Sequence, residues 1–483
     1  MKKITTICLL LCSVTLFAQT TKISLGEAVS LAIQNNERIK QYQEKVVQKE
    51  YDNLSAYSNF LPSLNFDLSY THLNDVMVID LSPIRDVIIT LQSTNQAELT
   101  NLGSIVGGKG PLSQAQKDGI KIQVASSLNS LIPAFKETFK KQNYRTGTFI
   151  VTQPLFLGGK LLAAKGAASA EMESANIELE KTKNEIVYEV IDRYTKVLLL
   201  NSVVETRKDV LNGILSHKEK AEKLFNEGLI ANHHLLRAEV AVAEAERNLE
   251  NDKNNLVLAT TALRNTIGIN ESESISFTDS LVFKNSTDSL SSLKAKAKLD
   301  QPILRIIEQK KLLAEENFNV TRSAFLPTIA AFGKYEIYPE YLSSLEPRWA
   351  IGVQMKYNIF NGFKDYLKLQ TAKHLEKEVE FAEADAQKKI ELWVIKSYLE
   401  VENNKTRFLK LDATINLANE NLRQNEKRFE TGMGTSLEVI DARLQLEKIQ
   451  IERELSLYNY YNALSDLYLA TGNPTELLNI WVK

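Results

Sequence analysis

From residue 24 the chain reads SLGEAVSLAIQNNERIK, and Leu25, Ala28, Val29, Ala32 and Ile33 recur at helical spacing. Ser24 with Glu27 three residues on has the form of a capping box, so a helix is expected to begin there and run to about residue 59. In FLPSLNFDLSYTH the period changes. Pro62 stops the helix, and Leu64, Phe66, Leu68 and Tyr70 alternate with Asn65, Asp67, Ser69 and Thr71. That predicts a strand over about 61–72 with one apolar and one polar face. The clearest alternation is WAIGVQMKYNIF, 349–360. Trp349, Ile351, Val353, Met355, Tyr357 and Ile359 face one way; Ala350, Gly352, Gln354, Lys356 and Asn358 face the other. About twelve residues of period two with aromatic rings near the ends suit a membrane-spanning strand, and a half-buried soluble strand gives the same pattern. RTGTFIVTQPLF (145–156) and LPTIAAFGKYEIY (326–338) supply two further strands.

Glycine-containing junctions, FLGGK at 156–160 and FNGFK at 360–364, lead into long polar–apolar stretches without proline. These predict helices over 160–212 with 214–267, and over 364–411 with 413–471. Each, at about fifty residues, would span ~75–80 Å at ~1.5 Å per residue. The narrow apolar stripe, as in NEIVYEVIDRYTKVLLL (184–200), suits coiled-coil-like packing.

The chain repeats itself. FNEGLIANHHLLRAE (225–239) aligns with FETGMGTSLEVIDAR (429–443): Phe225 on Phe429, Gly228 on Gly432, Ala238 on Ala442, a shift of 204 (429 − 225). The same shift carries Gly268 onto Gly472. Nearer the front, FLPSL (60–64) falls on FLPTI (325–329), a shift of 265 (325 − 60). The first copy therefore holds 61 extra residues (265 − 204) between its strands, over about 73–143. With GGKGP at 107–111 and short apolar stretches, this segment is expected to be a surface loop with a short helix of its own. The organisation expected is a leader (1–18), a first repeat (19–268), a linker or equatorial segment (269–299), a second repeat (300–472) and a tail (473–483).

The composition narrows the classes. Length alone would suggest roughly three domains. A net charge of −2 gives no reason to expect a nucleic-acid partner. MKKITTICLLLCSVTLFAQ has the basic start, apolar run and small residue, Ala18, of a cleaved signal peptide. Both cysteines, Cys8 and Cys12, fall inside it, so no disulfide or thiol chemistry is expected of the mature chain. Leu11 before Cys12 stands where a lipid-attachment site would have a small residue. No later apolar run approaches the ~20 residues of a spanning helix. GGK at 158–160 and GGKG at 107–110 lack the phosphate-loop frame, and His233 and His234, being adjacent, lack the spacing of a helical zinc pair. Neither enzyme chemistry nor a cofactor is expected.

Each copy thus reads helix, strand, strand, helix, helix. Four strands cannot close a membrane barrel, which takes about eight or more, and open edges are not tolerated in lipid. If these strands span a membrane, several chains must share one barrel. With SLGEAVSLAIQNN, LPSLNF and LPTIAAF, FNEGL paired with FETGMGTSLEVIDA, and the duplication itself, the chain resembles the TolC family of outer-membrane efflux channels over essentially its whole mature length. The resemblance implies a mixed α/β membrane protein: a homotrimer sharing a twelve-stranded β-barrel, four strands per protomer, continued by a long α-helical coiled-coil barrel in the periplasm. It implies an exit duct for multidrug efflux or type I secretion, in contact with outer-membrane lipid. The partners implied are a periplasmic adaptor and an inner-membrane pump of the RND or ABC type. Glu37 stands where the family often has proline; the second copy keeps it as Pro302. The competing readings are a periplasmic adaptor, which would need a lipoyl-like β-domain, and a coiled-coil scaffold, which leaves the four strands and the leader unexplained.

The repeated stretch then marks two helix–helix turns, 228–232 and 432–436, with Gly228, Gly432 and Gly434 permitting the reversal. By the resemblance these are the tips that form the periplasmic entrance and meet the adaptor, with Leu229 and Ile230 the main contact candidates and Ala231, Asn232, Met433 and Thr435 weaker ones. The family's acidic constriction maps onto Glu438 and Asp441, three apart on one helix face. In a trimer each would form a ring of three, favouring cations and raising one another's pKa. The first copy has His234 and Arg237 at the equivalent positions. Arg237, with His234, is expected to pair with Glu438 or Asp441 of a neighbouring hairpin and hold the tip closed.

Overall fold

A computed structural model describes residues 21–270, 275–286, 288–342 and 346–482. The expected leader, with Cys8 and Cys12, lies outside the described residues. In chain order the elements are β1 (Thr21–Ile23), α1 (Leu25–Asn35), α2 (Glu37–Ser58), β2 (Ser63–His72), β3 (Met77–Asp80), α3 (Ser82–Val106), α4 (Gln114–Leu131), β4 (Lys136–Lys140), β5 (Asn143–Leu157), α5 (Lys160–Asn226) and α6 (Asn232–Ile267). They continue with β6 (Ile275–Phe277), α7 (Leu290–Asp300), α8 (Pro302–Arg322), β7 (Thr328–Glu336), β8 (Trp349–Lys356), α9 (Lys364–Glu430), α10 (Ser436–Ala470) and α11 (Glu476–Val482). Two compact units result: residues 57–161 with 322–363, and the remainder.

The smaller unit is built on a four-stranded antiparallel sheet in the order β2-β5-β7-β8, so the copies join at β5–β7. Its in-register partners include Phe66 with Phe149, whose rings lie 4.9 Å apart, and Tyr335 with Trp349. Pro154 cannot donate to a ladder, and the register of β5 on β7 shifts between Pro154 and Phe156. β8 stops at Lys356, short of the 360 expected, because its partner there is Thr328, the first residue after Pro327. Leu64, Phe66 and Leu68 on β2 and Trp349, Ile351, Val353 and Met355 on β8 are all exposed. A half-buried soluble strand would hide one of its faces; here the apolar face of each edge strand is open.

The 73–143 segment is more than a loop with a short helix. It holds the hairpin β3–β4 and two helices, α3 of 25 residues and α4 of 18, packed on each other. Ser113 and Gln116 form a capping box that starts α4.

The larger unit is helical. Two expectations need correction. The first helix does not run unbroken to 59: Asn36 takes an extended backbone, its Nδ2 donates to the Thr266 carbonyl (2.9 Å) and its Oδ1 accepts from the Arg38 N–H (2.9 Å). Gln301, the equivalent residue (36 + 265), breaks α7 from α8 and donates to the carbonyls of Leu469 (3.1 Å) and Ala470 (2.9 Å). At both joints the long helices end in a glycine with positive φ, Gly268 and Gly472, against the backbone of the broken helix. The long helices, too, are not divided near 213 and 412. α5 and α9 each run 67 residues, ~100 Å, before turning. Gly213 lies inside α5 because Arg443 of α10 lies where its side chain would be.

The main core surrounds four fully buried tyrosines, Tyr194, Tyr460, Tyr461 and Tyr468. Each hydroxyl finds an acceptor, as burial requires. Tyr460 donates to the Lys284 carbonyl (2.8 Å), Tyr461 to the Val282 carbonyl (2.5 Å) and Tyr468 to Asp288 (2.7 Å). Burial pushes the hydroxyl of Tyr194 well above its ordinary range. One Asp279 oxygen accepts from Tyr194 (2.9 Å), the Leu25 N–H (2.9 Å) and the Trp481 indole (3.0 Å). It thereby ties the start of α1, the middle of α5 and α11 to the short parallel pair β1–β6. Among the described residues no helix is long and apolar enough to cross a membrane.

Candidate functional site: the two helix tips

Both long hairpins turn in the same way. α5 ends with the Leu229 N–H donating to the Leu224 carbonyl (2.8 Å) and the Gly228 N–H to the Phe225 carbonyl (2.9 Å). α9 ends with Met433 to Arg428 (2.8 Å) and Gly432 to Phe429 (3.0 Å), the same bonds 204 residues on. This is a Schellman closure, which puts its C′ residue in the left-handed region; Gly228 has φ +73° and Gly432 φ +75°. Leu229 and Met433 follow at the apex and are 67% and 70% exposed, while Ile230 and Gly434 are half-buried.

The return helices start differently. Thr435 caps α10: its hydroxyl accepts from the Glu438 N–H (3.3 Å), and the Glu438 carboxylate accepts from the Thr435 N–H (2.8 Å). At the equivalent start of α6 stand Ala231, which offers no side-chain cap, and His234. The capping partners are thus both absent from the first copy. Glu438 therefore has a local structural role, and its other oxygen lies 3.7 Å from the Arg428 guanidinium. The T-S-L-E string, 435–438, carried that signal in the sequence.

Asp441 and Arg237, a turn deeper and equivalent by the 204 shift, are both exposed. Among the described residues no ion pair within the chain engages either. His234 is half-buried, its ring 4.1 Å from that of His233 and its Nδ1 without a hydrogen-bond partner. Burial, followed by the nearby His233 and Arg237, lowers its pKa. The chain thus does not itself bring Arg237 onto Glu438 or Asp441.

The structure adds residues that periodicity did not single out. His217 of α5 is buried 2.7 Å from the Ser436 hydroxyl, at the first turn of α10, with its ring 4.6 Å from that of Phe429. Burial, and then the charges of Arg443 and Lys220, push its pKa down to about 4. Further from the tip, Arg207 bridges Asp252 of α6 (2.8 Å) and Glu447 of α10 (2.6 Å), and Arg443 pairs with Glu426. His217–Ser436 and Arg207–Glu447 fasten the first copy's hairpin to the second, while Arg443–Glu426 ties α9 to α10 within the second. Phe429 is 1% exposed in that seam, whereas its equivalent Phe225 is 36% exposed. The surface that one hairpin buries in its sister is left open on the other side.

A duplicated chain with an open four-stranded sheet and two pairs of long antiparallel helices has the fold of a TolC-type outer-membrane channel subunit. Residues 121–269 and 294–473 match the outer membrane efflux protein family, and the chain belongs to it. No curated protein matches the sequence significantly. Among solved structures, the outer membrane protein VceC of Vibrio cholerae superposes with a TM-score of 0.69 at 15% identity, over 93% of this chain and 96% of that one. The CmeC outer membrane channel of Campylobacter jejuni gives 0.70 at 14%, over 93% and 85%. The open-state MtrE outer membrane channel of Neisseria gonorrhoeae gives 0.68 at 16%, over 93% and 89%. As a member of that family the protein is an outer-membrane efflux duct and not an enzyme.

Proposed function

We propose that three copies of this chain assemble into one exit duct, gated at the helix tips and supplied by a periplasmic adaptor and an inner-membrane pump. The observation that carries this reading is the open sheet. β2 and β8 are both edges with exposed apolar faces, and three such sheets supply twelve strands, a number at which a barrel can close. The named channels of similar fold support it. Native mass of the detergent-extracted protein tests it: about three times 54.5 kDa is expected, and a single-copy mass would remove the barrel.

At the gate, Glu438 serves first as a capping residue and Asp441 as the free carboxylate. Arg237 is the free cation at the matching position. Alternating hairpins around a closed ring would set Arg237 beside Asp441 of a neighbour, at a height where charge-assisted bonds can form and break. His234 stands beside that pair. Leu229 and Met433, apolar and exposed at the apices, are the surface offered to the adaptor, with Gly228, Ile230, Gly432 and Gly434 shaping it. Arg237→Ala is expected to raise single-channel conductance of the resting duct in planar bilayers. An unchanged resting conductance refutes the lock.

A further inference from the structure

The helical insert of the first copy presents its best apolar surface to water. α3 packs on α4 through a face of modest residues, Ile89, Ser93, Ala97 and Asn101, which are buried at four-residue spacing. Asn101 accepts from the Leu112 N–H (2.9 Å), and Glu98 pairs with Lys117 of α4 (3.0 Å). At about 100° per residue, the opposite side of the helix carries a seam with alternating steps of four and three. Ile88, Asn95 and Leu102 occupy its a positions and Ile84, Leu91 and Ile105 its d positions; Glu98, at the remaining d position, is at the seam's edge and reaches back to Lys117 of α4. Val87, Leu99 and Val106 flank it. All eight apolar residues are exposed, from 48% at Ile105 to 83% at Val106. At on the order of 100 Å² each, they offer roughly 800 Å² per copy, the area a specific interface uses on one partner. That exceeds what a monomer ordinarily leaves open.

We propose that this stripe is covered by the same stripe of neighbouring copies, so that the α3 helices of the assembly form a parallel bundle. Three observations select this occupant. α3 hangs from an edge that already awaits another copy: β2 is the free edge strand, and the insert leaves it directly after His72. It does so at the end of the sheet remote from Ser63 and Leu157, where the chain passes to its long helices. Rotation about one axis gives equivalent helices the same sense along it, as a four–three seam in a parallel bundle requires. Asn95, exposed in mid-seam at an a position, is a residue that fixes register when it meets its own copies and that lipid would leave unsatisfied. The inference rests on the shared-barrel reading and adds a second site of self-recognition. α3 lies outside the residues matched by the family, which begin at 121.

Leu102→Cys tests it in a chain that has no cysteine after Cys12, with Ile88→Cys as a second variant and Gln123→Cys on α4 as the control. Each purified variant is oxidised with copper phenanthroline, its native mass measured, and its chains separated under denaturing conditions. A three-copy mass is expected throughout, with covalent dimers from Leu102→Cys and Ile88→Cys and none from the control. A three-copy mass with no covalent dimer from either α3 variant overturns the bundle and leaves the shared barrel standing. If the thiols introduced on α3 are then shielded from a water-soluble maleimide in intact cells, lipid covers the stripe. A single-copy mass overturns both readings.

Discussion

Replacing His217 by glutamine should remove an acid sensitivity from the tips. The imidazole is buried between α5 and the first turn of α10, and its pKa falls from 6.5 to about 4. Between those values the opened hairpin binds a proton that the closed one refuses, so closure is fully stable above pH 6.5 and weakens as pH falls towards 4. At about 1.4 kcal/mol per tenfold change in proton affinity, the difference is worth about 3 kcal/mol when complete. At pH 5 it amounts to about a 30-fold change in the opening equilibrium. Glutamine keeps a hydrogen-bonding group for the Ser436 hydroxyl and cannot be protonated in this range. The assay is amide hydrogen exchange over residues 213–240 and 425–445, corrected for intrinsic pH dependence, at about pH 7.5 and about pH 5. The natural protein should lose protection there by about 30-fold, and His217→Gln should lose far less. An equal loss in both proteins, or none in either, would refute the reasoning.

Thr435→Ala should cost about 1 kcal/mol of local stability at the start of α10, seen as faster exchange of the Val439 and Glu438 amides. The reciprocal pair Ala231→Thr with His234→Glu should slow exchange at the start of α6. Asp279→Ala leaves the Leu25 N–H and the Trp481 indole without their acceptor, while the Tyr194 hydroxyl keeps the Ile23 carbonyl (3.0 Å). A loss of about 3–5 kcal/mol is expected on thermal or denaturant unfolding, and a midpoint within about a degree of the natural protein would show that the knot is replaceable.

The repeat, the strand faces and the tips were legible because each is a local pattern: a constant shift, a period of two, a glycine where the chain reverses. The helix ends were less legible. Gly213 looks like a stop until Arg443 is found above it, and only the packed helices show that. Asn36 looks helical until Thr266 and Arg38 claim its side chain. In the insert, GGKGP suggested a loop, while the strong seam on either side of Leu91 belongs to a helix of 25 residues. The proposed gate was half legible. Glu438 could be placed on its helix from spacing, yet its capping duty needed Thr435 to be weighed with it. His217 had no local signature, since its partner lies 219 residues away.

The equal lengths of α5 and α9, 67 residues each, limit how such a chain can change its reach. About seven residues added to α5 alone would carry one tip ~10 Å beyond the other and strip its turn from the neighbours that stabilise it. To keep the tips level, the addition must recur in α6, α9 and α10. Reach is therefore a quantity set in whole turns by four helices together, and the adaptor proposed above, met at a fixed depth, would hold all four lengths in common.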